Sequence, residues 1–552
     1  MVLIHGMGEQ QPMETLRGFV QTVWQRDPSL FANAPPVTNF KAEDAWTEPD
    51  DLAGSTELRR ITTRHAGDPE RAGRDGVRLD FFELYWADLT ADTTWGDFLS
   101  WFKALLWRRL GAVPPRLRVI WCLLWLLTLA LGLSVAQTGV AQVGKLLGGE
   151  SSHWVAWLDL RFWSVISALL LVVGGTAKAF LTAYFGDVAR YVSAAPRNIK
   201  VRREARERGL KLLAELSASG KYQRIVVVGH SLGSILAHDL VWLAWSEAAR
   251  ALRFRDGSDL HLAVQACEQA ANALLDAAGY AQTHRPPVDA TGDELCKPAP
   301  QEGHDQARLA SQQSLLRAYR LTQRGLWAAL ACAGNAPAGV DAGAGTGTGT
   351  GTMLPWLISD LVTLGSPLTH ADLLISKHMA ATAQLREILR CPPMLDDEED
   401  VGHFRFSYRP DAGEAQPTPT PTSASASAPP AAAAAVCDWK LHHASATGPV
   451  RWTNIHDAAG PVAFLAGDII SGPLAPLFGP GVVDVQVNIE RRQGFFAALA
   501  LRRWFTHTQY WRFARSAPYG TPAHIAALRD AINVQDLDAA ERRLLAAAAP
   551  DS

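Results

Sequence analysis

The chain has 552 residues, 48% hydrophobic and 19% charged, which excludes a disordered polymer, since soluble domains carry roughly 25% charged residues and this chain has ample apolar surface for a large core. The 52 Lys and Arg against 55 Asp and Glu leave a net charge of −3. No basic excess exists to neutralise phosphates, which argues against nucleic acid as a partner. The six cysteines are scattered without a CxxC pair, so neither a zinc knuckle nor a disulfide framework is expected, and the usage fits a reducing compartment. At about 150 residues per domain, the length allows three or four domains.

The chain opens on MVLIHGMGE, a short strand over residues 2–4 that runs into His5-Gly6-Met7-Gly8. A strand at this point, in place of an apolar leader, predicts no cleavable signal peptide. A second strand is expected over 81–86. Trp95, Phe98, Leu99, Trp101, Phe102, Leu105 and Leu106 then fall mostly at helical spacing, which suits a helix lying on a bilayer or packed against the protein. Residues 119–136 form an 18-residue run without a charge, and residues 162–177 form a second uncharged run. A spanning helix needs about 20 apolar residues; the first run reaches this with its flanks, the second only if Lys178 snorkels. Two buried core helices are the alternative. Nine of the 19 tryptophans lie between Trp86 and Trp163, where interfacial rings would sit. Arg108, Arg109, Arg116 and Arg118 precede the first run; Arg190, Arg197, Lys200, Arg202 and Arg203 follow the second; few cations lie between. The positive-inside rule then predicts a two-helix hairpin in the membrane with both large soluble parts facing the cytoplasm.

Residues 225–241, IVVVGHSLGSILAHDLV, carry the chemistry. A β-branched strand runs directly into Gly229-His230-Ser231-Leu232-Gly233 and then into a helix. Such a turn forces the serine into a strained backbone that exposes its Oγ, and the flanking glycines allow the close helix–strand approach. The N–H of Leu232 then faces a developing oxyanion. The Gly6-Met7-Gly8 loop offers a second donor, the amide of Met7. Helices are expected over 202–218 and 234–251, and strands over 361–364, 452–455 and 482–487. Strand–helix alternation predicts an α/β layer with a mainly parallel sheet. Residues 333–352 and 410–435 are low-complexity linkers, 396–400 is a solvated acidic run, and the Ala-rich residues 523–549 read as helical.

HGMGEQ, GHSLGS, LVTLGSPL, RWTNIHD and HTQYW occur in the order used by the α/β-hydrolase superfamily, and the chain resembles its lipase/serine-esterase-like branch. The resemblance covers the segments from Met1 to about Trp511 without the hydrophobic hairpin. It implies a mainly parallel sheet flanked by helices and a Ser–Asp–His hydrolase with no metal or organic cofactor. In triad order the base follows the last strand, which leaves His507 and His524; His507 is the expected base and His524 a surface residue. Similar enzymes often place D-P-V after the W-x-N strand, but this chain has Gly460-Pro461-Val462 there. The acid is therefore Asp468, favoured, or Asp457, which ends the strand and could instead cap the next loop. His5 shapes the oxyanion loop, His230 packs, and the adjacent His442 and His443 lack metal-ligand spacing.

The expected organisation is a hydrolase domain in pieces: 1–92, 191–332, 353–409 and 437–552. Residues 93–190 hold the interfacial helix and hairpin, and 333–352 and 410–436 are low-complexity insertions. The function expected is a membrane-anchored serine hydrolase of lipid or acyl esters, with the bilayer and an ester as partners. A non-catalytic membrane-tethered scaffold and an acyltransferase using the same residues are the alternatives.

Overall fold

A computed structural model describes residues 1–6, 11–27, 45–49, 60–63, 78–90, 196–278, 302–335, 355–370, 391–392, 406–409, 439–457, 467–468, 470–489, 506–513, 521–533 and 542–546, together with six residues between Arg118 and Leu129. Strands β1 (Val2–Ile4), β2 (Ala45–Glu48), β3 (Arg60–Thr63), β4 (Asp80–Leu84), β5 (Ile225–His230), β7 (Ile358–Leu364), β10 (Arg451–Asp457) and β11 (Val483–Val487) form one eight-stranded sheet of order β11-β10-β7-β5-β1-β4-β3-β2. The strands from β11 to β4 pair in parallel, and β3 and β2 join antiparallel at one edge. The expected α/β layer with a mainly parallel sheet is what forms.

Central strand β5 reads IVVVGH and is buried along its whole length. A parallel strand covered on both faces needs such a continuous apolar run, because neither side chain direction meets water. Alternate residues serve opposite faces. Ile225 and Val227 meet the core under α2 (Pro196–Ala218), α3 (Leu232–Ala251), α4 (Asp259–Ala277) and α5 (Glu302–Asn335), where Leu212, Leu236, Val264 and Tyr319 are buried. Val226 and Val228 meet α1 (Glu14–Val20) and, after the short helix α6 (Ala475–Phe478), α7 (Ala523–Ile532), through Leu16, Phe19, Leu528 and Ile532. Each fully buried Leu or Val of this kind contributes about 1.5–3 kcal/mol relative to exposure.

At the end of the sheet where β7 and β10 begin, Asp360 of β7 accepts from Arg224 Nη2 at 2.6 Å and pairs with Arg451 Nη2 at 2.8 Å. Burial alone would raise this carboxyl, but the two guanidinium groups hold it well below the usual range. The pairs fasten the starts of β5, β7 and β10 together. Their far ends, with that of β1, meet at the opposite edge. Connections leave β1 and β5 toward opposite sides of the sheet, so the crevice between these neighbours is a topological switch point, where ligands of open α/β sheets bind.

Several elements differ from the sequence reading. β4 ends at Leu84, two residues early, because Trp86 leaves the strand to bond His5. α5 runs to Asn335, past the expected linker start at 333. A three-stranded sheet of β6 (Arg253–Phe254), β9 (Trp439–Leu441) and β8 (Ser407–Tyr408) was not expected. His524 is not a surface residue: it is 2% exposed, on the face of α7 that packs inward. The interfacial helix, most of the two apolar runs, the acidic run and the 410–435 linker lie outside the described residues. Trp121, Cys122, Trp125, Thr128 and Leu129 of the first run are helical. Among the described residues, no helix is long and apolar enough to cross a membrane.

Candidate active site

Ser231 sits between β5 and α3 with φ 53° and ψ −130°, a positive-φ conformation that side chains other than Gly rarely adopt. Local packing holds it there. Its N–H donates to Leu364 O at 2.9 Å, while the N–H and Oγ of Ser234 donate to its carbonyl at 2.9 and 2.5 Å. The motif glycines are needed because the chains touch. A Cβ on Gly233 would lie 2.3 Å from Ile4 O, and one on Gly229 would lie 2.5 Å from Ser234 Cα. Strained backbone held by a fully determined surround is the signature of a nucleophile elbow.

His507 and Asp468 complete the group. His507 Nε2 lies 2.7 Å from Ser231 Oγ, and His507 Nδ1 lies 2.9 Å from Asp468 Oδ2. All three side chains are buried. Burial would push the Asp468 carboxyl up; the His507 ring beside it and hydrogen bonds from His507, Tyr510 and Ser471 instead hold it well below the usual carboxylate range. An ionised carboxylate only accepts, so Nδ1 carries the imidazole proton and Nε2 is left to accept from the Ser231 hydroxyl. That is the tautomer a general base requires.

Asp457 is not part of this group. Its Oδ1 accepts from Ile489 N at 3.1 Å and its Oδ2 from Thr506 Oγ1 at 2.5 Å. It therefore anchors the residue preceding His507 and leaves the imidazole to Asp468. Of the two acids open from sequence, the geometry selects Asp468.

The other side of Ser231 is formed by the end of β1. A Cβ on Gly6 would lie 2.8 Å from Ser231 Cβ, so only glycine lets this loop pass the serine. His5 shapes the turn: its Nδ1 bonds Gly6 O at 2.8 Å and its Nε2 accepts from Trp86 N at 3.2 Å. Leu232 is the first residue of α3, so its N–H belongs to the helix-terminal donors that lack an intrahelical acceptor. Met7 and Gly8 lie outside the described residues. His230 packs edge-on against Trp511, with ring centroids 4.6 Å apart, and its Nε2 donates to His507 O at 2.8 Å. Burial, with the His507 ring next to it, pushes the His230 imidazole down to about 3, so it stays neutral at physiological pH.

Sequence reasoning missed three contributors. Gly365, at φ 59°, passes so close that a Cβ would lie 2.7 Å from the Tyr510 ring and 3.1 Å from both Asp468 Oδ2 and His507 Nδ1. Ser366 bonds Ser234 Oγ at 2.7 Å beneath the elbow. Tyr510 reaches Asp468 directly. The LGSP turn after β7 was the available signal for the first two, and the three-residue spacing from His507 was the signal for Tyr510. Among the described residues, no cluster of His, Cys, Asp and Glu could hold a metal ion. Comparisons with protein-family models, curated proteins and solved structures return no match for this chain.

Proposed function

We propose that the protein is a serine hydrolase of carboxylic esters with an α/β-hydrolase-like fold, attached to a membrane. The observation that carries this reading is the relay from Ser231 Oγ through His507 to Asp468, at 2.7 and 2.9 Å. Ser231 Oγ attacks the ester carbonyl as His507 Nε2 takes its proton, and the oxyanion is stabilised by the Leu232 amide and a donor from the loop after Gly6. Collapse expels the alcohol, which receives the proton from His507. Water, deprotonated by the same imidazole, then attacks the acyl-enzyme and releases the acid and Ser231. The strand order supports the superfamily reading: nucleophile after β5, glycine loop after the adjacent β1, acid after β10 and base after β11.

A fluorophosphonate probe tests the activity, because only an activated serine beside oxyanion donors reacts at a useful rate. Labelling is expected in the wild-type protein and is expected to map to Ser231 by peptide mass. An intact, folded protein that stays unlabelled would favour the non-catalytic scaffold.

Membrane attachment rests on the two apolar runs and the cations that flank them, and on Leu129, which is 56% exposed on its helix. Acyl chains concentrated at a bilayer make a lipid or acyl ester the proposed substrate, with the catalytic parts on the cytoplasmic side. The protein should remain in the membrane pellet after alkaline carbonate washing. Release into the supernatant would mean that the runs are core or peripheral helices.

A further inference from the structure

We propose that Tyr510 is a positioning residue of the triad, whose phenol holds Asp468 in the one orientation that serves His507; this rests on the hydrolase reading above. Asp468 is 0% exposed and its two oxygens receive four donors. Oδ1 accepts from the N–H groups of Ile470 at 3.0 Å and Ser471 at 3.2 Å. Oδ2 accepts from His507 Nδ1 at 2.9 Å and from the Tyr510 hydroxyl at 2.7 Å. These fill the roughly four acceptor sites of a carboxylate, so the group cannot rotate without losing a buried bond.

The direction of each proton follows from chemistry. The phenol has one hydrogen, and the carboxylate can only accept, so that hydrogen points at Asp468. The phenol oxygen in turn accepts from Asp457 N at 3.0 Å, and Ser471 Oγ lies 3.1 Å from it. Tyr510 thereby connects the end of β10 to the acid. It reaches Asp468 because it lies on the same short turn as His507, where Gln509 N donates to Thr506 O at 2.8 Å. Gly365 leaves space for its ring. Burial first, and then the neighbouring carboxylate, raise the phenol's pKa well above normal, so it remains a donor. Among the described residues, the titratable groups around Asp468 are His507, Tyr510 and His230, with Asp457 one hydrogen bond further away.

Tyr510→Phe keeps the ring and removes only the hydroxyl. Without that donor Asp468 is held by fewer bonds and orients the His507 ring less firmly, which lowers kcat and leaves substrate binding alone. For a soluble p-nitrophenyl ester, kcat should fall about 10- to 100-fold with KM unchanged. In an Asp468→Asn background, adding Tyr510→Phe should change kcat by less than about twofold, because the effect runs through the acid. Ser471→Ala leaves the ring in place and should lower kcat in the same way by less, which keeps the test open if the phenylalanine variant folds poorly. Wild-type kcat in both variants, or full additivity with Asp468→Asn, would overturn the proposal while labelling of Ser231 persists. A wild-type enzyme that neither labels nor turns over would instead remove the hydrolase reading, and this proposal with it.

Discussion

Ser231→Ala is expected to lower ester turnover by about 10⁶, as knocking out the nucleophile of such a triad does, while the thermal melt stays within a few degrees of wild type. The change removes one oxygen, and that oxygen's contact is His507 Nε2 at 2.7 Å. The backbone at this position is held by bonds to Leu364 and Ser234 that do not involve the side chain of residue 231. Alanine must accept the same φ of 53° as serine, so the strain is carried equally by both proteins. Residual turnover should come only from binding and the oxyanion donors, about 10³–10⁴ over water. Active-site-normalised kcat, measured beside a melting curve, checks this. Retention of more than about a tenth of wild-type turnover would mean that Ser231 is not the nucleophile.

The second large effect separates the two carboxylates. Asp468→Asn should cost about 10⁴ in kcat, and Asp457→Asn less than about tenfold per folded molecule. The donors to Asp468 Oδ1 are two backbone N–H groups, at 3.0 and 3.2 Å. They require an acceptor, so an asparagine carbonyl would take that place and turn its NH₂ toward His507. Nδ1 would then have to accept, the proton would move to Nε2, and the imidazole could no longer take the Ser231 proton. Asp457→Asn weakens the bonds from Thr506 Oγ1 and Ile489 N and should appear as a stability loss of about 1–3 kcal/mol. Denaturant midpoints and kcat measured on both variants provide the check. A kcat loss at Asp457 equal to that at Asp468 would contradict the assignment.

What could be read in the chain depended on how local each signal is. Ser231 was legible because its geometry is set within five residues, and the strand and helix on either side are strongly patterned. His507 was legible by order alone. The choice between Asp468 and Asp457 was not, because both are buried acceptors near the end of β10 and only the folded turn decides which one faces the imidazole. Tyr510 was less visible still, since its role depends on a hydroxyl whose partners come from three segments. In the sheet, the continuous apolar runs of the central parallel strands were found within a few residues. The edge strands β2 and β3 were not: β2 is only half-buried, with Trp46 exposed, and its sequence AWTE has no apolar run. His524 was misjudged because a histidine in an Ala-rich helix looks solvent-facing until α7 is seen packed on the sheet.

The bond from His230 Nε2 to the His507 carbonyl has a mechanical consequence. His230 is covalently next to Ser231, so Ser231 and His507, the proposed nucleophile and base, share one clamp although 276 residues separate them in the chain. Relative drift of the turn at Ser231 and the loop at His507 would have to break this buried hydrogen bond. Ser231 and His507 therefore travel as one unit. In the proposed reaction, whatever opens to admit a substrate can do so without retuning the distance over which the proton moves, and little of the barrier is spent on reassembling the pair in each turnover.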